Sequence, residues 1–446
     1  MAPSKFLQAI SVTTLTLIAG STSANEARSI ALGGSAITYG RGVPGIFANP
    51  ATLMHLNRKN RNVHLRFGGA VDFRDPGTLF DSVFEKSDLI NDIENATDTL
   101  ANSPVTCISL DISSDTSCLS GTEELGQDFE SLVGEINSVS EQPIELIADA
   151  RAGFGYTGGV VPFAFHFGFS IVVAGELIAS DNDIEYITIL QDALIDGELT
   201  VGDILDTAVA GGTQLIDLNS ALDGTLDVAD PEDVLTSEFE GTRTDRQQFG
   251  VSFGFSIPVA GRSLDIGITP KISSITTFRA EGLIATEFDE TTPSIDEDFS
   301  NSETTTTTFT ADIGGTYSIT DSLAVSSVLR NLITETADTS NDSFKVETTP
   351  QLIIGGIYEF SRFLAINADV ALNSAERDGV ETQPLALGVE FGRGNYSLRG
   401  GVSVDNGRTE EETALTLGFG LGPLQVGSRI SSLKAIQAGA QLSFSF

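Results

Sequence analysis

Residues 434–446 read KAIQAGAQLSFSF, and this stretch decides the fold. Ile436, Ala438, Ala440, Leu442, Phe444 and Phe446 alternate with Gln437, Gly439, Gln441, Ser443 and Ser445. A strand sends successive side chains to opposite faces, so one face here is apolar and the other small and polar. The same alternation recurs along most of the chain, behind a secretory leader. Hydrocarbon offers no partner to an unpaired backbone group, so only helices and closed barrels cross it. The pattern therefore predicts an all-β protein, a transmembrane antiparallel β-barrel.

In residues 1–24, Lys5 is the only Lys or Arg, Phe6 to Ala19 is apolar and hydroxyl-rich, and Thr22-Ser23-Ala24 offers a cleavage site. These features read as a signal peptide removed on export to the bacterial outer membrane, since the core is too short for a spanning helix. The formal charge of −38 argues against a nucleic-acid partner, which demands Lys and Arg. Acidic residues crowd the links between strands, as in Glu281, Glu287, Asp289, Glu290, Asp296, Glu297, Asp298 and Glu303. Trp is absent, so Tyr and Phe must supply the interfacial girdles of a barrel.

From Gly158 to Gly175 a hydropathy scan suggests a spanning helix. However, Phe163, Phe165, Phe167, Phe169, Ile171 and Val173 stand at strict period two, one stripe on a strand but scattered around a helix. Read in this way, the chain holds fourteen strand candidates: 61–73, 144–157, 161–176, 246–258, 262–279, 305–318, 322–334, 346–360, 363–373, 383–392, 395–405, 412–422, 424–431 and 434–446. Long links alternate with tight ones such as Thr320-Asp321 and Ser361-Arg362, matching the external loops and periplasmic turns of outer-membrane barrels. The barrel then occupies 61–446, with long insertions at about 74–143 and 177–245. Within 183–222, Ile184, Ile187, Leu190 and Leu194 suggest short amphipathic helices, either capping the mouth or packing on neighbouring loops.

Residues 25–60 do not read as a strand. Leu32-Gly33-Gly34-Ser35-Ala36 and Asn49-Pro50-Ala51 are turn-forming, as a compact plug requires. This arrangement resembles the FadL-like outer-membrane barrels, whose mature N-termini carry Ala-Arg, Gly-Gly-Ala and Asn-Pro-Ala patterns; here these align with Ala27-Arg28, Gly33-Gly34 and Asn49-Pro50-Ala51. The resemblance implies an N-terminal hatch inside a fourteen-stranded barrel, passage or capture of fatty-acid-like or other apolar ligands, and insertion by the barrel assembly machinery into lipid and lipopolysaccharide. Where that family usually carries Gly after Asn-Pro-Ala, this chain has Thr52. Val328-Leu329-Arg330-Asn331-Leu332, Thr349-Pro350-Gln351-Leu352, Ala368-Asp369-Val370-Ala371-Leu372 and Leu385-Ala386-Leu387-Gly388-Val389-Glu390-Phe391 are more similar to one branch, the conjugal-transfer TraF-like barrels. The thioredoxin-like protein sharing that name needs a C-x-x-C motif, which this chain lacks.

Candidate chemistry is sparse. Gly153 to Gly158 fits G-x-G-x-x-G, but a Phe-rich strand follows instead of the helix that dinucleotide binding needs. Gly250-Val251-Ser252-Phe253-Gly254 fits G-x-S-x-G, yet the alternation runs straight through and no sharp elbow is formed. Only His55, His64 and His166 are available, and no triad, metal set or cofactor motif assembles from them; the chain reads as a non-enzyme. Cys107 and Cys118 either close a small disulfide loop, worth about 3 kcal/mol in an oxidising compartment, or remain two thiols. On the lumen-facing parity lie Arg66, Asp72, Arg151, Asp265, Lys271, Arg279, Asp312, Arg330, Asp369, Glu390 and Arg399. Arg66, Arg151, Lys271 and Arg279 are candidates for holding a ligand carboxylate; the alternative is internal ion pairing and anchoring of the hatch.

Overall fold

The computed structural model describes residues 27–38, 47–57, 63–74, 108–109, 144–158, 161–178, 180, 188, 199–200, 237–283, 302–340, 345–378, 380–392, 396–407, 412–432 and 435–446. The leader, Cys107 and Cys118, and the helical pattern expected over 183–222, apart from residues 188, 199 and 200, lie outside the described residues. The elements in chain order are α1 (Ala27–Ile30), α2 (Thr52–Asn57), β1 (Val63–Arg74), β2 (Ile108–Ser109), β3 (Ile144–Tyr156), β4 (Phe163–Ile178), β5 (Leu199–Thr200), β6 (Glu238–Val259) and β7 (Arg262–Leu283). There follow β8 (Thr304–Ser318), β9 (Leu323–Arg330), β10 (Glu335–Asp338), β11 (Lys345–Thr348), β12 (Gln351–Ser361), β13 (Leu364–Ala371), β14 (Ala375–Arg377) and β15 (Val380–Thr382). The last five are β16 (Pro384–Phe391), β17 (Tyr396–Asp405), β18 (Glu412–Leu421), β19 (Leu424–Ser432) and β20 (Ala435–Ser445).

Fourteen strands close one barrel in the order β1-β20-β19-β18-β17-β16-β13-β12-β9-β8-β7-β6-β4-β3. The seam pairs β1 with β20 in antiparallel register, Phe67 opposite Leu442 and Asp72 opposite Gln437. Period two sets the two faces. Leu398 is 62% and Leu415 70% exposed on the outside, whereas Arg66, Asp265, Lys271 and Glu390 are buried within. An apolar exterior of this kind is what lipid demands, and the polar interior is what a lumen allows. Phe360, Phe363, Phe391, Tyr396 and Phe446 are exposed at the end of the barrel where the tight turns lie, a girdle built without Trp.

Two of the strand boundaries that differ from the sequence reading shape the mouth of the barrel. The segment expected as one strand over 346–360 divides into β11 and β12 at Thr349-Pro350, because proline has no N–H to continue a ladder. The strand expected to reach 334 stops at Arg330. Asn331 adopts φ 49°, a left-handed conformation that Asn tolerates better than most residues, and turns the chain inward. In consequence β10, β11, β14 and β15 form a separate four-stranded sheet made from two adjacent external loops. Leu332 N–H to Ala311 O (2.8 Å) and Thr277 Oγ1 to Asp338 O (2.8 Å) tie its first strand to the wall. Ile275 of the wall packs with Ala337 and Val346 of this sheet, so the sheet lies inside the mouth.

Candidate functional site

The N-terminal segment is seated by glycines of the wall. A Cβ at Gly388 would lie 2.6 Å from the Leu32 carbonyl oxygen, and one at Gly401 would lie 2.7 Å from Gly33 N. Cβ atoms at Gly153, Gly267, Gly314, Gly418 and Gly427 would collide with Phe47, Pro50, Asn49, Ala31 and Ala27 respectively. Residues 27–38 and 47–51 thus lie against the inner wall, at positions from β19 round to β3. Gly33 (φ 74°) and Gly34 (φ 96°) supply a turn that side chains rarely adopt, and Gly33 N–H donates to Thr416 Oγ1 at 3.0 Å.

Polar bonds hold the same segment. Asn49 Nδ2 donates to Ile37 O (2.9 Å) and to Thr316 Oγ1 of β8 (3.1 Å), while its Oδ1 accepts from Ala51 N–H (3.0 Å). Thr52, standing where the related pattern has Gly, donates its hydroxyl to Asn49 O at 2.7 Å and opens α2. Asp369 accepts from the N–H groups of Ala36 (2.5 Å) and Ile37 (2.9 Å). Arg28 pairs with Glu390, which also holds Arg399 at 3.1 Å, all three buried.

Above this plug, the four-stranded sheet is fixed by one guanidinium. Arg246 of β6 donates through Nη1 to Glu335 Oε2 (2.7 Å), through Nε and Nη2 to Asp378 Oδ1 (2.8 and 2.6 Å), and through Nη2 to Thr348 Oγ1 (2.8 Å). Glu335 also accepts from Thr308 Oγ1 at 2.6 Å. Burial would raise the Asp378 carboxyl, but Arg246 and Arg377 outweigh it and hold it below the usual range. On the same sheet, partial burial and the neighbouring Glu347 and Glu381 push Glu376 up.

Between plug and external sheet lies a cavity of about 30 Å³. Phe47 forms its floor; Arg151, His166, Lys271, Asp312 and Arg330 contribute from the wall, and Glu335, Thr348 and Arg377 from the external sheet. Lys271 pairs with Asp312 (2.7 Å) and donates to Asn331 Oδ1 (2.7 Å). His166 packs edge-on against Phe47 at 5.4 Å between centroids, and its buried Nδ1 has no hydrogen-bond partner among the described residues. Such a volume admits a water or two, whereas sites for drug-sized ligands span roughly 300–1,000 Å³.

Of the four cations singled out from sequence, Arg151 and Lys271 line this cavity together. Arg66 lies over the Phe47 ring at 4.9 Å and donates to Gln441 at 2.8 Å. Arg279 pairs with Glu240 at 2.9 Å, away from the cavity lining. Sequence reasoning missed Arg246, which fell at the first residue of an expected strand whose observed start is Glu238. Its even parity with Gln248 and Ser252 was the available signal.

The two motif matches have steric explanations. Gly153 makes room for Phe47, Gly250 for the His166 ring and Gly254 for Leu53 and Met54. Ser252 is fully buried in a straight strand, its hydroxyl 2.8 Å from Thr269 Oγ1.

A family model described as "F plasmid transfer operon, TraF, protein" matches residues 46–370. No curated protein matches the sequence. Among solved structures the chain is similar to the Ralstonia pickettii toluene transporter TbuX (13% identity, TM-score 0.43, covering 94% of this chain and 97% of that one). It is also similar to the Pseudomonas putida toluene transporter TodX (10% identity, TM-score 0.40, covering 94% and 95%). A TodX deltaS2S3 mutant, described as a monoaromatic hydrocarbon channel, gives 12% identity and a TM-score of 0.45, covering 94% and 98%.

Proposed function

The chain belongs to the family described as F plasmid transfer operon TraF protein, and from this premise we propose an outer-membrane barrel, closed at rest, that captures or passes small apolar or amphipathic molecules without covalent chemistry. One observation carries this reading: the lumen is filled by two separately seated pieces of chain, the N-terminal plug and the external sheet, which enclose a cavity between them. Neither piece is part of the fourteen-stranded wall, so each can shift while the barrel ladder stays intact. Several wall glycines face the plug, and their flat backbone lets a segment slide where interdigitating side chains would lock it.

Liposomes carrying the purified protein are expected to take up a fatty acid faster than empty ones. Equal rates across a panel of apolar and amphipathic solutes would refute the reading.

A second reading is a sealed component of a conjugation apparatus at the cell surface, favoured by the family description and by the small cavity. It expects a lower mating frequency when the gene is deleted and an envelope partner that copurifies; an unchanged frequency and no partner would remove it.

A further inference from the structure

We propose that Arg246 is the latch of an outward-opening lid, and that the vestibule beneath this lid accepts anions. The lid is the sheet β10-β11-β14-β15, and the inference rests on the reading of the barrel as closed by movable pieces. The two lid hairpins arise from different loops and join through β11 and β14, where Thr348 stands opposite Arg377. The first hairpin has its own ties to the wall through Thr277, Thr308 and Thr310. Arg246 reaches from the wall to Glu335 at the start of the first hairpin and to Asp378 at the turn of the second. One side chain therefore holds both loops against one wall strand. A guanidinium suits this task because its planar fork serves two carboxylates at once, which a single ammonium point charge does not.

All three groups are buried, with side-chain exposures of 5% for Arg246, 0% for Glu335 and 1% for Asp378. Removing the cation leaves Glu335 with the Thr308 hydroxyl and Asp378 with Arg377 at 3.5 Å, an undercompensated buried pair that is relieved by taking up a proton or by moving to water. The lid can do so, since it is made of loops, whereas the barrel ladder does not depend on it.

When the lid lifts, Glu335, Asp378 and Arg377 leave with it. The exposed wall then presents Arg151, Arg246, Lys271 and Arg330 against Asp312 and against Asp149, which lies 4.0 Å from Arg377 in the closed state. Among the described residues these four cations outnumber Asp312, Asp149 and Asp369, the last of which interacts with Arg330, so the vestibule lining is electropositive, and low-dielectric walls focus that potential on entering solutes. His166, whose Nδ1 lacks a hydrogen-bond partner among the described residues, adds a polar group to the same lining. The shared chemistry of the guest is a negative charge, whether on a free small anion or on the head of an amphipathic molecule.

The test uses a reporter thiol from Gln248→Cys, a position lining the cavity, in full-length protein carrying Cys107→Ser and Cys118→Ser and held in nanodiscs. The probes are two small methanethiosulfonate reagents, one anionic and one cationic. With Arg246 present, labelling is expected to be slow; Arg246→Met should raise the rate by at least about tenfold, given the size of buried-pair disruption. Arg246→Lys should fall between. The anionic reagent should gain more than the cationic one, relative to their ratio on denatured protein. Glu335→Gln with Asp378→Asn, which keeps the arginine, provides the milder opening variant if Arg246→Met does not fold, as judged by gel mobility before and after boiling. Unchanged labelling in folded variants, or a cationic preference, would overturn the proposal. Faster anionic labelling without solute uptake in liposomes would leave the latch standing and sink the transport reading instead.

Discussion

Gly388 shows how a single atom governs the seating of the plug. A methyl group there would meet the backbone of Leu32, which cannot rotate away as a side chain would. Gly388→Ala is therefore expected to cost about 1–3 kcal/mol, in the range of overpacked interiors. The measurement is limited proteolysis: the N-terminal segment should become cleavable while the barrel still resists. Loss of the whole barrel instead would show that the wall, and not the plug, bears the strain. The glycine's position was readable in the sequence, since Leu385-Ala386-Leu387-Gly388-Val389 alternates plainly. Its reason was not. An alternating pattern reports which face a residue occupies, and says nothing of a backbone more than 350 positions earlier that lies against it. The same holds for Glu390, whose charge on the lumen parity was evident while its bond to Arg28 was not.

At the scale of elements, the wall was legible and the lid was not. Each barrel strand is exposed to lipid on one side and to the lumen on the other, so its alternation is strong, as in Phe163 to Val173. The lid strands are three or four residues long, too short for a period to stand out, and their buried faces mix Ala337 and Val346 with Glu335 and Thr348. Polar residues inside a pocket of charge erase the contrast on which pattern reading depends. The cap anticipated over 183–222 falls outside the described residues, apart from isolated positions, while the sheet of β10, β11, β14 and β15, drawn in large part from links read as plain at about 335–345 and 374–382, covers the mouth. The lid also carries a pH response. Glu376 has its carboxyl pushed up by burial and by Glu347 and Glu381, so the folded sheet binds this proton more tightly than the unfolded chain does. Linkage then makes the lid firmer as pH falls from neutrality through that raised value. Asp378 has the opposite sign: its contribution is present above the usual carboxylate range and is lost only below it. Hydrogen exchange of β14 and β15 amides should slow, after correction for intrinsic rates, between neutral and mildly acidic pH. Glu376→Gln should abolish the difference; a slowing that survives this change would assign it to another group.

For the whole molecule, the −38 charge and the buried lumen network sit in different places. Lumen cations are paired inside, as Lys271 with Asp312 and Arg246 with Glu335, so the excess negative charge belongs to the remaining surface and loops. The barrel ladder itself is uncharged backbone and closed on every side, which makes it resistant to detergent in the manner of lipid-spanning cylinders. Protein kept unboiled in sodium dodecyl sulfate is expected to migrate faster than the boiled chain. Identical mobility would contradict a closed barrel.

The seam ties two events together. Val63 and Phe446 exchange both main-chain bonds, at 3.3 and 3.0 Å, so the first and last wall strands join along their full described length. The plug lies inside the barrel and rests on strands made near the end, against Gly418 and Gly427. The plug precedes the wall strands in sequence, yet part of its seat exists only once β18 and β19 have joined the wall, so docking of the plug and completion of the barrel depend on each other. A variant that seals too early would trap an empty shell with its own beginning left outside.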